Sequence, residues 1–235
     1  MRSVWIGYTP READGFAVAR ASLRRHASEP VLVMALNLHG LRAAGLYRRP
    51  TSFRERLLWD DISEAPMATE FACSRFLVPH LAVNGWALFM DCDVLVRRDI
   101  CDLFALADPS KAVMCVKHEH KPAEGAKMDG QAQTRYARKN WSSLVLYNCD
   151  HSANRALTVD LVNSVPGRDL HRFCWLDDDL IGELPVEWNW LAGVSAPCED
   201  PAIVHYTLGV PSMPGCEDAP FASEWRAELN GWLRA

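Results

Sequence analysis

The hydrophobic pattern at the start of the chain alternates between continuous apolar runs and helical periodicity. The segments Ser3–Tyr8 and 31–36 are apolar almost throughout, which predicts strands buried on both faces. Between them, Ala13–His26 has apolar side chains at helical spacing, with Phe16 and Leu23 on one face. A strand, a helix and a second strand of these lengths predict a βαβ unit and therefore a parallel sheet.

The pattern beyond this unit predicts a continued mixture of helices and strands. Residues 37–66 are richer in Arg, Gly and Pro and are interpreted as loops with short pieces. Residues 117–139 form a long polar connection that is typical of a lid or binding loop, with disorder as the competing explanation. Helices are predicted over 69–84, 99–106, 153–164 and 220–235. Strands are predicted around 86–96 and over 112–116, 141–147 and 203–206.

The most informative stretch is the apolar segment 86–96, which Asp91 and Asp93 interrupt. Because strand side chains alternate faces, both carboxylates are expected side by side at the strand end, with Cys92 pointing into the protein. Paired carboxylates repel each other, and the hard cations Mg²⁺ and Mn²⁺ relieve that repulsion and bind diphosphates. The pair therefore predicts a metal–diphosphate site. The competing interpretation is a turn or helix cap, where Asp-x-Asp also occurs.

Two further segments carry candidate chemistry. His205 ends a short apolar strand and precedes a turn with Gly209, so it is a candidate metal ligand beside backbone N–H groups for phosphate. A nitrogen ligand would shift the preferred ion towards Mn²⁺, whereas a structural histidine is the alternative. Asp177, Asp178 and Asp179 are consecutive, which fits a helix N-terminus, a ligand-facing acid, or both.

Composition narrows the classes of protein that these motifs allow. The chain has 235 residues with 49% hydrophobic and 23% charged content, which is enough for one substantial core. Its net charge of -5 gives no general attraction to nucleic acid. No apolar run approaches the roughly 18 residues of a membrane span, and no signal-peptide pattern is present. The eight cysteines form no C-x-x-C pair, which favours reduced residues and a cytoplasmic location. The His118-x-His120 pair is interpreted as part of a solvated loop.

Several motifs resemble, in the same order, the retaining glycosyltransferases of family 8, which include glycogenin and bacterial lipopolysaccharide galactosyl- and glucosyltransferases. The family patterns "RF-x-x-P", "LDADVLV", "DQD … LP … WN" and "HFTG" each have a short counterpart in this sequence, and together the counterparts span most of the chain. The matching stretches are Ile6-Gly7-Tyr8-Thr9, Arg75-Phe76-Leu77-Val78-Pro79, Leu88-Phe89-Met90-Asp91-Cys92-Asp93-Val94-Leu95-Val96, Leu176-Asp177-Asp178-Asp179, Leu184-Pro185, Trp188-Asn189 and His205-Tyr206-Thr207.

This resemblance implies a fold, a donor and a set of binding residues. The implied fold is α/β of the GT-A type, a single domain with a Rossmann-like, mostly parallel sheet flanked by helices. The implied donor is a UDP-sugar. The implied ligands of Mn²⁺, with Mg²⁺ as the alternative ion, are Asp91, Asp93 and His205. The implied nucleotide-binding residues are Tyr8, Thr9, Arg75 and Gly209, together with Asp91 and Asp93.

The resemblance also implies catalytic residues. The positions at which this sequence departs from the family patterns favour alternative functions. Asp177 would bind sugar hydroxyls. Asp178, which stands where the family has glutamine, would stabilise an oxocarbenium-like transition state, with direct attack on the sugar as the alternative. Trp141-Ser142-Ser143 replaces the family's "NAG", so the acceptor side differs. The family's terminal lysine is absent after Pro211, which favours a non-catalytic binding protein as the second hypothesis. A sugar nucleotidyltransferase is the third, although its glycine-rich basic loop is missing.

The predicted organisation is a catalytic domain over 1–211 and a tail over 212–235. The nucleotide-binding part covers about 1–100 and the acceptor part about 101–211. The tail has an amphipathic helix with Trp225 and Trp232 on its apolar stripe, for which packing on the core or on a second copy is favoured over peripheral membrane contact. The predicted function is transfer of a hexose from a UDP-sugar to an unknown saccharide, lipid-linked glycan or protein acceptor.

Overall fold

A twisted six-stranded sheet forms the centre of the molecule, and the computed structural model describes residues 2–54, 57–118, 138 and 141–234. The strands are β1 Ser3–Tyr8, β2 Leu32–Asn37, β3 Thr51–Arg54, β4 Leu57–Asp60, β5 Ala65–Pro66, β6 Trp86–Met90, β7 Val94–Val96, β8 Val113–Cys115, β9 Leu144–Asn148, β10 Ile181–Glu183, β11 Trp190–Leu191 and β12 Ile203–His205. The helices are α1 Ala13–His26, α2 Leu38–Ala43, α3 Val78–Ala82, α4 Ile100–Ala105, α5 Val159–Val162, α6 Gly167–His171 and α7 Ala222–Leu233.

The central sheet is mostly parallel, as the sequence predicts. Its strand order is β10-β8-β9-β6-β1-β2, and only β9 runs antiparallel to its two neighbours. The register pairs Ile6 of β1 with Met90 of β6, so these two strands end at the same edge of the sheet. Val4, Ile6 and Leu88 are fully buried in the core between the flanking helices. This α/β architecture confirms the predicted fold class.

The strand predicted over 31–36 has a different environment from the expected one. It forms β2 at the edge of the sheet, where Leu32 and Met34 are 46% and 38% exposed. An edge strand has a neighbour on one side only, so the flanking helices cover it less completely. Residues 37–66 also differ, because they hold α2 and a small antiparallel sheet, β3-β4-β5. Strands of four residues or fewer are too short for periodicity to distinguish them from loops.

Two predicted helices are shorter in the structure, and one predicted strand is divided. The segment 69–84 holds a 3-10 turn at Ser74–Leu77 followed by α3, which places Pro79 in the first helical turn. The segment 153–164 restarts at α5, because the Thr158 hydroxyl accepts a hydrogen bond from the Leu161 N–H at 3.0 Å as its N-cap. The apolar run 86–96 divides into β6 and β7, which belong to different sheets.

The C-terminal helix α7 packs against α1. Trp225 is fully buried, and the Arg25 guanidinium lies 2.8 Å from the Glu228 carboxylate across the helix pair. Trp232 and Leu233 near the end of α7 are exposed, so contact of this end with a second copy or a membrane surface stays a prediction. Among the described residues, no helix combines the length and apolar character needed to cross a membrane.

Candidate metal and donor site

The pairing of two short strands brings Asp93 and His205 together. Asp91 follows β6 directly, and its N–H donates to the Ser143 carbonyl at 2.9 Å. Asp93 precedes β7, which runs antiparallel to β12 with Val94 opposite His205. The Tyr206 N–H donates to the Asp93 carbonyl at 2.8 Å and continues this pairing. Two segments far apart in sequence thus meet at the carboxyl edge of β6.

Asp91, Asp93 and His205 form one compact cluster of potential metal ligands. One ligand atom from each lies within 4.8 Å of the other two. His205 Nε2 is 3.1 Å from Asp93 Oδ1 and 3.9 Å from Asp91 Oδ2. The Asp91 and Asp93 side chains are 16% and 19% exposed, so the cluster faces solvent through a narrow opening. The sequence prediction that these three residues come together agrees with this geometry.

The chemistry of this cluster fits a divalent cation. Asp91 Oδ1 and Asp93 Oδ1 are shielded from solvent, and each faces one basic group: Arg75 Nη1 lies 2.9 Å from Asp91 Oδ1, and His205 Nε2 lies 3.1 Å from Asp93 Oδ1. Burial raises the pKa of Asp91 to about 7, although the Arg75 charge opposes this. Two carboxylates that are buried side by side repel each other and lose hydration, and a cation between them compensates for both costs. Two carboxylates and one imidazole are a ligand set that suits Mn²⁺, with Mg²⁺ as the alternative.

Arg75 is held against Asp91 by contacts on every side of its guanidinium. Its Nη1 lies 2.9 Å from Asp91 Oδ1 and donates to the Ser142 carbonyl at 2.8 Å. The guanidinium carbon is 5.4 Å and 4.8 Å from the ring centroids of Phe71 and Phe89. The side chain is only 6% exposed. Arg75 therefore orients the Asp91 carboxylate, a role that the resemblance alone does not indicate.

Asn189 fixes the imidazole of His205. Asn189 is fully buried, and its Oδ1 lies 2.8 Å from His205 Nδ1. Because an amide oxygen only accepts, Nδ1 carries a proton, and Nε2 is the ring nitrogen that faces Asp93 and would bind a metal. The Asn189 amide nitrogen donates to Ser143 Oγ at 3.0 Å and faces His118 Nε2 at 3.1 Å. The Trp188-Asn189 motif was the available sequence signal for this residue.

His118 is half-buried and bonded, so its interpretation as part of a solvated loop is wrong. Burial lowers the pKa of His118 to about 4, and the charge of His205 adds to this effect. The neutral ring can accept the Asn189 N–H, which in turn fixes the orientation of the amide. His120, the second member of the sequence pair, lies outside the described residues.

Glu12 is a further acid beside the cluster. Cys92 points into the protein, as predicted, and its thiol donates to Glu12 Oε2 at 3.1 Å. Burial raises the pKa of Glu12, and the negative charge of Asp93 raises it further. The contact anchors the turn between the two aspartates to the N-terminal end of α1. Sequence periodicity carries no signal for it.

The other expected nucleotide-binding residues flank the cluster. Tyr8 ends β1 with its ring edge-on to Phe16 at 5.2 Å, and Thr9 lines a cavity of about 340 Å³. Gly209 lies after β12 with a φ of 131°, and a Cβ there would stand 2.7 Å from Cys216 Sγ. Its N–H donates to the Tyr206 carbonyl at 2.9 Å. Binding of a nucleotide by these residues stays a prediction.

Asp177, Asp178 and Asp179 have a different setting from the cluster. All three are exposed, and they lie at the start of a 3-10 turn at Asp178–Leu180. Asp178 forms an ion pair with Arg138, and 87% of its side chain is exposed. In the part of the chain that the structure describes, no hydrogen bond or ion pair joins these acids to Asp91, Asp93 or His205. Their predicted catalytic roles therefore stay predictions.

The fold places this chain beside known glycosyltransferase structures. The galactosyltransferase LgtC, solved with donor and acceptor sugar analogues, is 14% identical and aligns with a TM-score of 0.58 over 97% of this chain and 95% of LgtC. The glycosyltransferase GlyE of Streptococcus pneumoniae is 15% identical with a TM-score of 0.58, over 99% of this chain and 63% of GlyE. The chain spans about half of the bifunctional glycosyltransferase WbbM, covering 49% of it at 16% identity and a TM-score of 0.56. These similarities define the GT-A fold.

A closer similarity in sequence defines the family. The chain is 42% identical to Protein CDI of Arabidopsis thaliana over 233 residues. The alignment covers 97% of this chain and 85% of Protein CDI. The chain therefore belongs to the same family as Protein CDI. No protein-family model matches the sequence.

Proposed function

We propose that this protein is a metal-dependent, retaining glycosyltransferase that moves a hexose from a UDP-sugar to a saccharide, lipid-linked glycan or protein acceptor. The observation that carries the proposal is the cluster of Asp91, Asp93 and His205 at the carboxyl edge of a mostly parallel sheet. Ligands of open α/β sheets bind at this edge. The glycosyltransferase names of its fold neighbours LgtC and GlyE support the same class.

Each side chain around the cluster has a part in this chemistry. The cation would supply charge stabilisation for the departing diphosphate as the sugar–phosphate bond breaks. Asp91, Asp93 and His205 would hold it, while Arg75 orients Asp91 and Asn189 orients His205. Tyr8, Thr9 and Gly209 would lie along the nucleotide.

The reacting face of the sugar is assigned in this proposal to Asp177 and Asp178. Asp177 would bind sugar hydroxyls, and the Asp178 carboxylate would exchange Arg138 for the positive charge that develops on the sugar. Asp178→Asn should therefore lower the transfer rate and leave the affinity for UDP unchanged. Asp179→Asn is the matched control, because it removes a neighbouring exposed charge. Full transfer activity of Asp178→Asn with Asp177 intact would contradict the electrostatic role.

Titration calorimetry with UDP, with and without Mn²⁺, tests the proposal directly. We expect binding that depends on Mn²⁺, and slow Mn²⁺-dependent hydrolysis of one or more UDP-sugars in a donor screen. Hydrolysis is the informative reaction, since it needs no knowledge of the acceptor. The absence of UDP binding under both conditions would overturn the proposal.

A non-catalytic nucleotide-sugar or glycan-binding protein is the second candidate. The exposed, Arg138-paired state of Asp178 favours it, together with the absence of a lysine after Pro211. It predicts metal-dependent binding of a UDP-sugar without hydrolysis of any donor in the same screen.

We also propose a cytoplasmic location. All eight cysteines are free in the structure, and Cys73, Cys92, Cys101 and Cys115 are buried. Reduced core cysteines are usual in that compartment. Subcellular fractionation, with alkylation of the thiols before lysis, would test the location and the redox state together.

A further inference from the structure

A cleft of about 520 Å³ opens beside Asp91. Its floor contains Arg75, Ser142 and His171, and its walls are the segments 60–69 and 166–168. The cavity at Thr9 is a separate one that shares only residues 67–69 with this cleft. A ligand joined to a diphosphate at Asp91 would therefore extend into this cleft from the metal cluster.

Ser142 and His171 form a hydrogen-bonded pair in the floor of the cleft. Ser142 Oγ lies 2.6 Å from His171 Nδ1, and the same serine accepts the Arg75 guanidinium through its backbone carbonyl. His171 Nε2 has no hydrogen-bond partner among the described residues. In either tautomer the pair offers one free donor and one free acceptor position, which is what a hydroxyl group requires.

The charges around the cleft cancel. Asp91 is paired with Arg75 and Asp60 with Arg49, and the other two charged lining residues, Glu64 and Arg168, are of opposite sign. Burial lowers the pKa of His171 to about 3, with further contributions from the two arginines, so its ring is neutral at ordinary pH. The polar groups of the floor therefore recognise an uncharged polar ligand better than an anion or a cation.

The two walls are tied together, so the width of the cleft is set before a ligand enters. Arg49 donates from Nη1 to the carbonyls of Val162 and Val165 at 2.6 Å and 2.8 Å. The Gly167 N–H donates to Ser63 Oγ at 2.8 Å across the cleft wall. A Cβ at Gly167 would stand 3.2 Å from that oxygen, so the close approach favours glycine. Preorganised walls reduce the entropy lost on binding.

We propose that the Ser142–His171 pair binds a hydroxyl of an uncharged sugar in this cleft and determines which sugar the protein accepts. The inference rests on the proposed function, because Asp91 joins the cleft to the donor site. The sugar is either the hexosyl group of the donor or the saccharide of the acceptor, since both present the same hydroxyl chemistry.

Ser142→Ala and His171→Leu test this proposal in the full chain. His80→Leu is the control, because His80 is an exposed histidine outside the lining of the cleft, with its ring bonded to the Leu157 carbonyl at 2.6 Å. Circular dichroism and thermal melting establish that each variant folds, and the smaller change at Ser142 guards against unfolding at His171. Calorimetry with Mn²⁺ gives affinities for UDP, UDP-glucose and UDP-galactose. Saturation-transfer NMR monitors lactose and maltose.

The two sugar sources give different results. If the pair binds the donor hexose, both variants should weaken a UDP-hexose by about fivefold and leave UDP within about twofold of wild type. If the pair binds the acceptor, the saccharide signals should fall while all nucleotide affinities persist. The proposal is overturned if the variants change neither the UDP-hexose affinity nor the saccharide signals. It is also overturned if wild-type protein binds no UDP-hexose and no saccharide. If wild-type protein binds a saccharide but no UDP, the proposed function is contradicted while the role of the Ser142–His171 pair in sugar binding stands.

Discussion

Two acidic regions of this protein have opposite physical settings. Asp91 and Asp93 are largely buried, and Arg75 and His205 lie against their carboxylates and hold them in place. Asp177 and Asp178 are exposed, and Asp178 has its charge balanced by Arg138 at the surface. The comparison teaches that acidic residues alone do not define a site. The burial of two adjacent carboxylates beside an imidazole marks the first pair as the candidate site for a cation.

Removal of Arg75 should have the largest effect on the folded protein. Arg75→Met leaves Asp91 buried without its counter-ion, and we expect a loss of about 3–5 kcal/mol in the free energy of unfolding. Urea denaturation measures this loss. Arg98→Met is the matched control, because its partner Asp200 is exposed, and it should cost less than about 1 kcal/mol. Equal losses in both variants would remove the distinction between a buried and an exposed pair.

Removal of one carboxylate of the cluster should abolish tight metal binding. Asp93→Asn deletes a charged ligand, so we expect the affinity for Mn²⁺ to fall by at least about a hundredfold. This loss is larger than the one expected for a residue that only orients a ligand. Titration calorimetry of the apo protein measures this change. Asp179→Asn, which removes one charge from the exposed region, should leave the affinity unchanged. An equal fall in both variants would indicate a general charge effect.

Replacement of Asn189 should weaken the metal site without touching a ligand. Asn189→Leu leaves the His205 Nδ1–H without its acceptor, and we expect a fall of about tenfold in Mn²⁺ affinity. Asn189→Asp keeps an acceptor for His205 and should retain more of the affinity. Manganese titration followed by electron paramagnetic resonance measures both. An unchanged affinity in Asn189→Leu would show that His205 needs no orienting partner.

Acid should destabilise the buried network through His118. Because its folded pKa is about 4, the unfolded chain binds a proton that the folded chain does not as pH falls from about 6.5 to 4. Stability should therefore drop by about 1–2 kcal/mol between about pH 7 and about pH 5. His118→Gln cannot titrate, so its unfolding free energy should fall less over this interval, whereas His80→Gln should follow wild type. Parallel slopes for wild type and His118→Gln would contradict the prediction.

Changes in the exposed acidic region should have the smallest effect on stability. Asp178→Asn removes a surface ion pair with Arg138, and we expect less than about 1 kcal/mol by urea denaturation. Mn²⁺ affinity should stay at the wild-type value. A fall in the Mn²⁺ affinity of this variant would indicate that the two acidic regions belong to one metal site.

Much of the architecture of the N-terminal part was predictable from local pattern. Strand β1 and helix α1 have the predicted bounds, because a continuous apolar run and an unbroken helical stripe each allow one regular structure. The helix predicted over 99–106 also formed, as α4, with Asp99 as its N-cap. The edge position of β2 and the small sheet β3-β4-β5 were missed, since both depend on which elements pack beside them.

The sequence by itself determined the βαβ opening and the two carboxylates of the candidate metal site, because strand periodicity and residue chemistry are local properties. The position of His205 at the end of an apolar strand made it a candidate ligand, but the antiparallel pairing of β7 with β12 brought it to Asp93. Tertiary structure alone placed Asn189 behind His205 and joined Ser142 to His171. Such contacts connect residues far apart in the chain, and no local propensity specifies which partner a buried polar group finds.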